Sequence, residues 1–428
     1  MVKVGGPKRD SDDPKAGSVR DSSPKEKPST KDLTVQTAAS SATRGGSSVK
    51  AYGDLHAEIP DASIIDAFQP SPKGDSLGGI RKLPLETQTL YAELLEHLRG
   101  AEFARSFADL KGGFTIRERG GEQYWYFRSS EGPNPSPQEF YVGPDDERTR
   151  DRIQAYKEGR ENAKAHADRV IRLAAMLRSG GLTIADQSTF KILKGFSNAG
   201  VFRLGGVLVG THAYAAIGNS LGVRWPSATQ TQDVDFGAMV NPHVGIGLPL
   251  TQQTMANVPK AIESLEMGFL PVHFPTGEKP TTYVVPNKEW RIDFITAPRG
   301  KDRVSPVEIP RLGLYAQPLE FMGYALNKTM EAVVVGTSGV LVRVPEPARF
   351  AIHKLLVASN RDARSAIKAE KDRLQSLQVM RFLEYERPGD ITLAAEDAIS
   401  KGSGWKRRLQ EQVNLLKGSI EELNQTIQ

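Results

Sequence analysis

Residues 205–236 read GGVLVGTHAYAAIGNSLGVRWPSATQTQDVDF, and this stretch decides the fold. A short apolar strand ends at Gly210-Thr211, and HAYAAIGNSLG then reads as a helix. Glycine lets a backbone approach phosphate closely, and a helix N-terminus offers unpaired amides at the positive end of its dipole. Thr211 adds a hydroxyl, either to the phosphates or as a plain helix cap. In D-V-D-F, the period of two places Asp233 and Asp235 on one strand face and turns Val234 and Phe236 to the core.

Working outward, WRIDFIT at 290–296 is a second short apolar strand, bearing Asp293. If the two strands are neighbours, three carboxylates converge. Moving a nucleotide from a triphosphate requires charge on the phosphates to be neutralised and an attacking oxygen to be aligned. Divalent magnesium (or manganese) does both, and hard oxygen ligands are what it prefers. Asp233, Asp235 and Asp293 are therefore the candidate catalytic and metal-binding residues; the blander alternative is a solvated strand end. His212 reads as structural.

The order strand, Gly-Thr, helix, D-x-D, strand, third carboxylate resembles the DNA polymerase β-type nucleotidyltransferase superfamily. The fuller text, GGVLVGTHAYAAIGNSLGVRW with TQDVDF, RIDFIT, VPEPARFAIHKLL and KAEKDRLQSL, is similar to a bacterial family of nucleotidyltransferase-fold proteins. The tail P-E-P…H-K-L-L…K-D also resembles AbiEii and MenT type toxins, in which a basic residue of the following helical domain faces the triphosphate. The resemblance implies a polymerase β-like core, a nucleoside triphosphate such as ATP as substrate, and Mg2+ or Mn2+ as cofactor. It implies a basic residue of the helical domain at the triphosphate, for which Lys354 is the candidate, against a snorkelled surface lysine. From the residues themselves, Gly210 and Thr211 read as the phosphate cradle and Arg224, three residues past the helix, as a further phosphate contact. The gap from Gly210 to Asp233 exceeds the superfamily's usual spacing and leaves room for a loop over the site.

The expected fold class is α+β: a mixed-sheet core with an N-terminal helix/hairpin module and a C-terminal helical domain. Residues 1–80, rich in Ser, Lys, Asp, Gly and Pro, cannot bury enough surface to order themselves and are expected to be a disordered tail. In 81–180, Leu85–Leu98 suits a helix. FTIRER and EQYWYFR, joined by Gly120-Gly121, make a hairpin, and EFYVG at 139–143 a third strand. A long helix over 149–178 should bury Ile153, Tyr156, Ala163, Ala167, Val170, Ile171, Ala174 and Leu177. The core spans 181–345, and 346–428 is helical. The run Tyr124-Trp125-Tyr126-Phe127 can stack bases, but with aromatics on both faces it reads first as a structural hairpin. Lys371 and Asp372 read as a solvated pair.

Composition excludes other chemistries. The 428 residues contain no cysteine, so thiolate metal sites, disulfides and catalytic thiols are ruled out. The net charge of +5 is concentrated in residues 1–50, where ten Lys/Arg face six Asp/Glu, so the body is nearly neutral. No apolar run approaches the ~20 residues that cross a bilayer, and the N-terminus lacks the apolar core of a secretory signal. A cytoplasmic protein without membrane contact is expected. The expected activity is transfer of a nucleoside monophosphate to an unknown acceptor hydroxyl on RNA, protein or a small molecule. The alternatives are a catalytically silent nucleotide-binding sensor, or a toxin or defence protein acting on RNA or protein. Oligomeric state is not legible.

Overall fold

The computed structural model describes residues 79–107, 112–129, 138–226, 231–240, 255–273, 277–300 and 302–428. Residues 1–78, and with them nearly all of the expected tail, lie outside the described residues. The described residues all fall in one compact unit.

After β1 (Arg81–Lys82) comes α1 (Leu85–Phe107), then a three-stranded antiparallel sheet of β2 (Gly112–Arg119), β3 (Glu122–Ser129) and β4 (Gln138–Pro144), in that order. Gly120 and Gly121, at φ 63° and 83°, supply the left-handed backbone that the β2–β3 turn needs. The sheet packs its inner side, with Phe127 and Val142 buried and Trp125 half-buried, against Phe103 of α1 and Ile153 of the helix after β4. Tyr124 and Tyr126 stand on the other side with Tyr141. The aromatic run is thus a packed hairpin on one face. The long helix α2 (Glu147–Ser179) is capped by Asp146, which accepts from the Thr149 amide at 2.7 Å.

Val170, Leu173, Ala174 and Leu177 of α2 are buried with Tyr91 and Leu94 of α1. Ala163 of the expected buried stripe lies outside the described side chains, and Ala167 and Ile171 are exposed, Ile171 at 50%. The covered stripe follows i, i+3, i+4, i+7 from Val170, and Ile171 lies one step round the helix from it.

The core begins with α3 (Gln187–Asn198), capped by Asp186, followed by β5 (Gly206–Leu208), α4 (Gly210–Ser220), β6 (Val223–Arg224) and β7 (Asp233–Ala238). Then come α5 (Val258–Glu263), β8 (Leu270–Pro271), β9 (Thr282–Val284), β10 (Arg291–Thr296), β11 (Val307–Ile309), β12 (Leu314–Pro318), α6 (Met322–Asn327), β13 (Thr329–Val335) and β14 (Gly339–Pro345). The main sheet runs β11-β12-β10-β7-β5. β10 lies parallel to β7 and to β12, while β5 on β7 and β11 on β12 are antiparallel. β9 borders the first half of β10 and carries β8. β13 and β14 form a separate hairpin, and β1 pairs with β6. The sheet is therefore mixed, as the α+β reading expects.

The C-terminal region is all helical: α7 (Pro347–Ser359), α8 (Ala366–Glu386), α9 (Asp390–Ile399), α10 (Ser403–Leu415) and α11 (Glu421–Ile427). One continuous apolar cluster runs from Ile80 through the sheet to Ile427, so these helices share the core of the sheet. Buried Arg349 on α7 ties them further, donating to Asp397 at 2.8 Å and to the Tyr324 carbonyl at 3.2 Å. Among the described residues no helix is long and apolar enough to cross a membrane.

Candidate active site

The alternation in Asp-Val-Asp-Phe does what its period requires. Val234 and Phe236 are fully buried, and Asp233 and Asp235 stand on the opposite face of β7. β10 repeats the pattern, with Ile292 and Phe294 buried and Arg291 and Asp293 facing the other way. Phe236 and Phe294 stack with centroids 5.9 Å apart, locking the two strands together from below. The parallel register sets Asp293 beside Asp235 and Arg291 beside Asp233. The three carboxylates predicted from sequence are brought together on two adjacent strands.

Gly210 closes one side of this group. Its φ of 67° falls in the left-handed region, and a Cβ there would overlap Asp235 Oδ2 and lie 3.2 Å from Asp235 Cγ. Only glycine lets α4 start this close to the carboxylate. Val209, not Thr211, occupies the cap position of α4 and provides no side-chain cap, so the first amides of the helix keep their donors for a ligand. Thr211 follows, half-buried, on the first turn. His212 is half-buried, and its ring Nε2 is enclosed without a hydrogen-bond partner. Burial pulls its pKa down to about 4, so the ring is neutral at pH 7.

Electrostatics mark the site as short of positive charge. Burial, then repulsion from Asp293 and Asp233, pushes the Asp235 carboxyl up to about 6. Asp233 is raised for the same reasons. Two neighbours that the sequence reading missed hold Asp293: Arg291 Nε donates to Oδ2 at 2.6 Å, and Thr282 Oγ1 donates to Oδ1 at 2.5 Å. Arg291 was findable, since a residue two before Asp293 on a strand shares its face.

The helical region adds cations. Lys354 acts on Asp235, and Lys368 and Lys371 act on Asp233. Lys354 does not wait there free: its Nζ donates to Asp372 Oδ1 at 2.7 Å, and Arg361 Nε donates to Asp372 Oδ2 at 2.7 Å. Asp372 is 3% exposed, so the reading of Lys371-Asp372 as a solvated pair is corrected. Burial would raise the Asp372 carboxyl, but Lys354 and Arg361 outweigh it and hold it below its ordinary range. Lys371 is lowered by burial and by Lys354. Arg224, by contrast, sits exposed on β6 opposite Arg81 and is not among the charges acting most strongly on the carboxylates.

Against this geometry, residues 187–400 match a family model described as Nucleotidyltransferase, which is half of the chain. The chain belongs to this nucleotidyltransferase family. The matched residues take in Gly210, all three aspartates and Lys354, that is, the whole constellation on β7, α4, β10 and α7. A solved structure, an antigenic nucleotidyltransferase-like protein from Paracoccidioides brasiliensis, is similar at 12% identity over 52% of this chain and 91% of that chain. Its TM-score of 0.26 is too low for the likeness to bear on the fold. No curated protein matches the chain.

The donor set of this family member suits a hard divalent ion in kind: three carboxylates, mutually repelling, with backbone amides alongside. Among the described residues, however, no three acidic or histidine side chains already stand close enough to hold an ion. Arg291 occupies Oδ2 of the third carboxylate.

Proposed function

We propose that this protein transfers a nucleoside monophosphate from a nucleoside triphosphate to an acceptor hydroxyl. The observation that carries the proposal is the register of β7 and β10, which sets Asp293 beside Asp235, whose carboxylate lies against Gly210 at the uncapped start of α4. Asp233 and Asp235 would hold Mg2+ or Mn2+, and Asp293 would join them on exchanging Arg291. A bound divalent ion supplies charge neutralisation at the phosphates and at the attacking oxygen.

The chain's own residues do the rest. Gly210 keeps side-chain atoms out of the phosphate path, and the free amides of α4, with the Thr211 hydroxyl, orient the phosphates. Lys354 and Lys371 supply fixed positive charge from the helical side, Lys354 held in place by Asp372. Asp293 would bind one metal and help activate the acceptor hydroxyl. Such catalysis is positioning and electrostatics, without a covalent intermediate.

A second reading, a nucleotide-binding module without turnover, is favoured by one observation: Arg291 already neutralises Asp293. Pyrophosphate release measured with each of the four ribonucleoside triphosphates, with and without magnesium, separates the two. Magnesium-dependent release lost in Asp235→Asn supports transfer. Nucleotide binding with no release under any condition supports the silent module. Cytoplasmic location, and an acceptor hydroxyl on RNA, protein or a small molecule, stand as parts of the same proposal.

A further inference from the structure

A second cluster of charge lies in a cleft that none of the three carboxylates, Gly210 or Thr211 lines. It is walled by α1, α2, the end of α3, the segment before β5 and the β13–β14 hairpin, and opens to solvent. Four guanidiniums reach it: Arg99, Arg152, Arg203 and Arg343. Two carboxylates answer them. Glu102 lies 2.7 Å from Arg203, and Glu331 accepts from Arg99 Nε at 2.7 Å.

Glu331 is overcommitted. It faces Arg343 directly across the β13–β14 ladder and also acts on Arg152, yet its one close ion pair goes to Arg99. Among the described residues Arg152 and Arg343 form no ion pair, and the buried Nε of Arg152 has no hydrogen-bond partner. Burial lowers the pKa of both guanidiniums, and neighbouring Arg148 and Arg99 lower Arg152 further. Exposed Glu96, already paired with Arg99, is the remaining acid in reach. Half-buried arginines without partners are costly unless an anion completes them. Two planar forks opening on one cleft suit the oxygens of a phosphoryl group. Phe103 and Phe202 on the same walls suit the apolar body of such a ligand.

We infer that this cleft is a binding site for a small phosphate-bearing molecule, with Arg152 and Arg343 as its clamp, separate from the aspartate site. The inference does not depend on transfer taking place at the aspartates. The shared chemistry is the phosphoryl oxygens, whether of free phosphate or of a nucleoside monophosphate.

The test is calorimetric titration of the full chain with inorganic phosphate and, separately, AMP, both in chelator without magnesium. Binding is expected with one or both, and the tighter probe identifies the source. Arg152→Gln and Arg343→Gln should each weaken it about tenfold, the scale of one hydrogen bond to a charged group. Lys371→Gln, beside the aspartates, should leave it unchanged. Without any anion, Arg152→Gln should melt at or above the wild-type temperature, because it removes a half-buried charge that has no ion pair. Absence of binding by both probes overturns the inference. So does binding that survives both arginine variants or disappears in Lys371→Gln, and so does a lowered melting temperature of anion-free Arg152→Gln.

Discussion

Replacing Asp235 by Asn should stabilise the fold while disabling the chemistry. The carboxyl is pushed from its ordinary 3.8 to about 6, first by burial and then by Asp293 and Asp233. Charging it in the folded state therefore costs about 3 kcal/mol more than in the unfolded chain, to order of magnitude. The folded carboxyl binds its proton more readily than the unfolded one. The cost is thus absent below about pH 4, grows between pH 4 and 6, and is complete above pH 6. Asn keeps the shape without the charge, so the variant should melt a few degrees higher at pH 7.5 in chelator. The gap should narrow through pH 6 and close near pH 4. Scanning calorimetry of both proteins across that range reads this directly. A variant melting at or below wild type at pH 7.5, or a gap that stays constant with pH, would refute the like-charged cluster.

Other perturbations follow from the same geometry. Gly210→Ala puts a Cβ onto Asp235 Oδ2 at a left-handed φ, so it should destabilise by at least ~1 kcal/mol and abolish nucleotide binding, seen by thermal melts with and without ATP. Asp372→Asn leaves Lys354 and Arg361 facing each other without their buried counter-charge; a loss of about 3–5 kcal/mol is expected in denaturant unfolding. Because the Asp372 carboxyl is held below its ordinary range, its contribution is present at neutral pH and is lost as pH falls through the folded pKa, so wild type and variant should converge in acid. Arg291→Gln frees Oδ2 of Asp293 and should tighten magnesium binding, read as a larger magnesium-induced rise in melting temperature than in wild type.

What could be read from sequence was local. Strand alternation in D-V-D-F and R-I-D-F fixes which side chains share a face, and both strands obey it with Val234, Phe236, Ile292 and Phe294 at the core. The Gly210-Thr211 start of α4 was legible too, because a glycine between an apolar strand and a helix has few other reasons to be there. Partnerships formed across the fold were not. Nothing near Lys354 or Asp372 in the chain says that α7 and α8 pack so as to bury the pair. Without that packing a Lys-Asp dipeptide looks like any solvated helix face. Thr282 reaches Asp293 only through the β9–β10 ladder. Strands as short as β8 and β11 offer too few residues for a period to show, and Ile171 shows that an apolar residue next to a stripe need not belong to it.

The most direct test of nucleotidyl transfer distinguishes which phosphate leaves. Full-length protein, magnesium and cell extract are incubated with triphosphate labelled at the α-phosphate, and in parallel at the γ-phosphate. Transfer of a nucleoside monophosphate should move the α-label, and not the γ-label, onto an acceptor. Asp235→Asn should slow this by roughly 10²–10³, the usual cost of removing one preorganised electrostatic group. Labelling from the γ-position, or equal α-labelling by wild type and Asp235→Asn, would contradict a transfer site built on Asp233, Asp235 and Asp293.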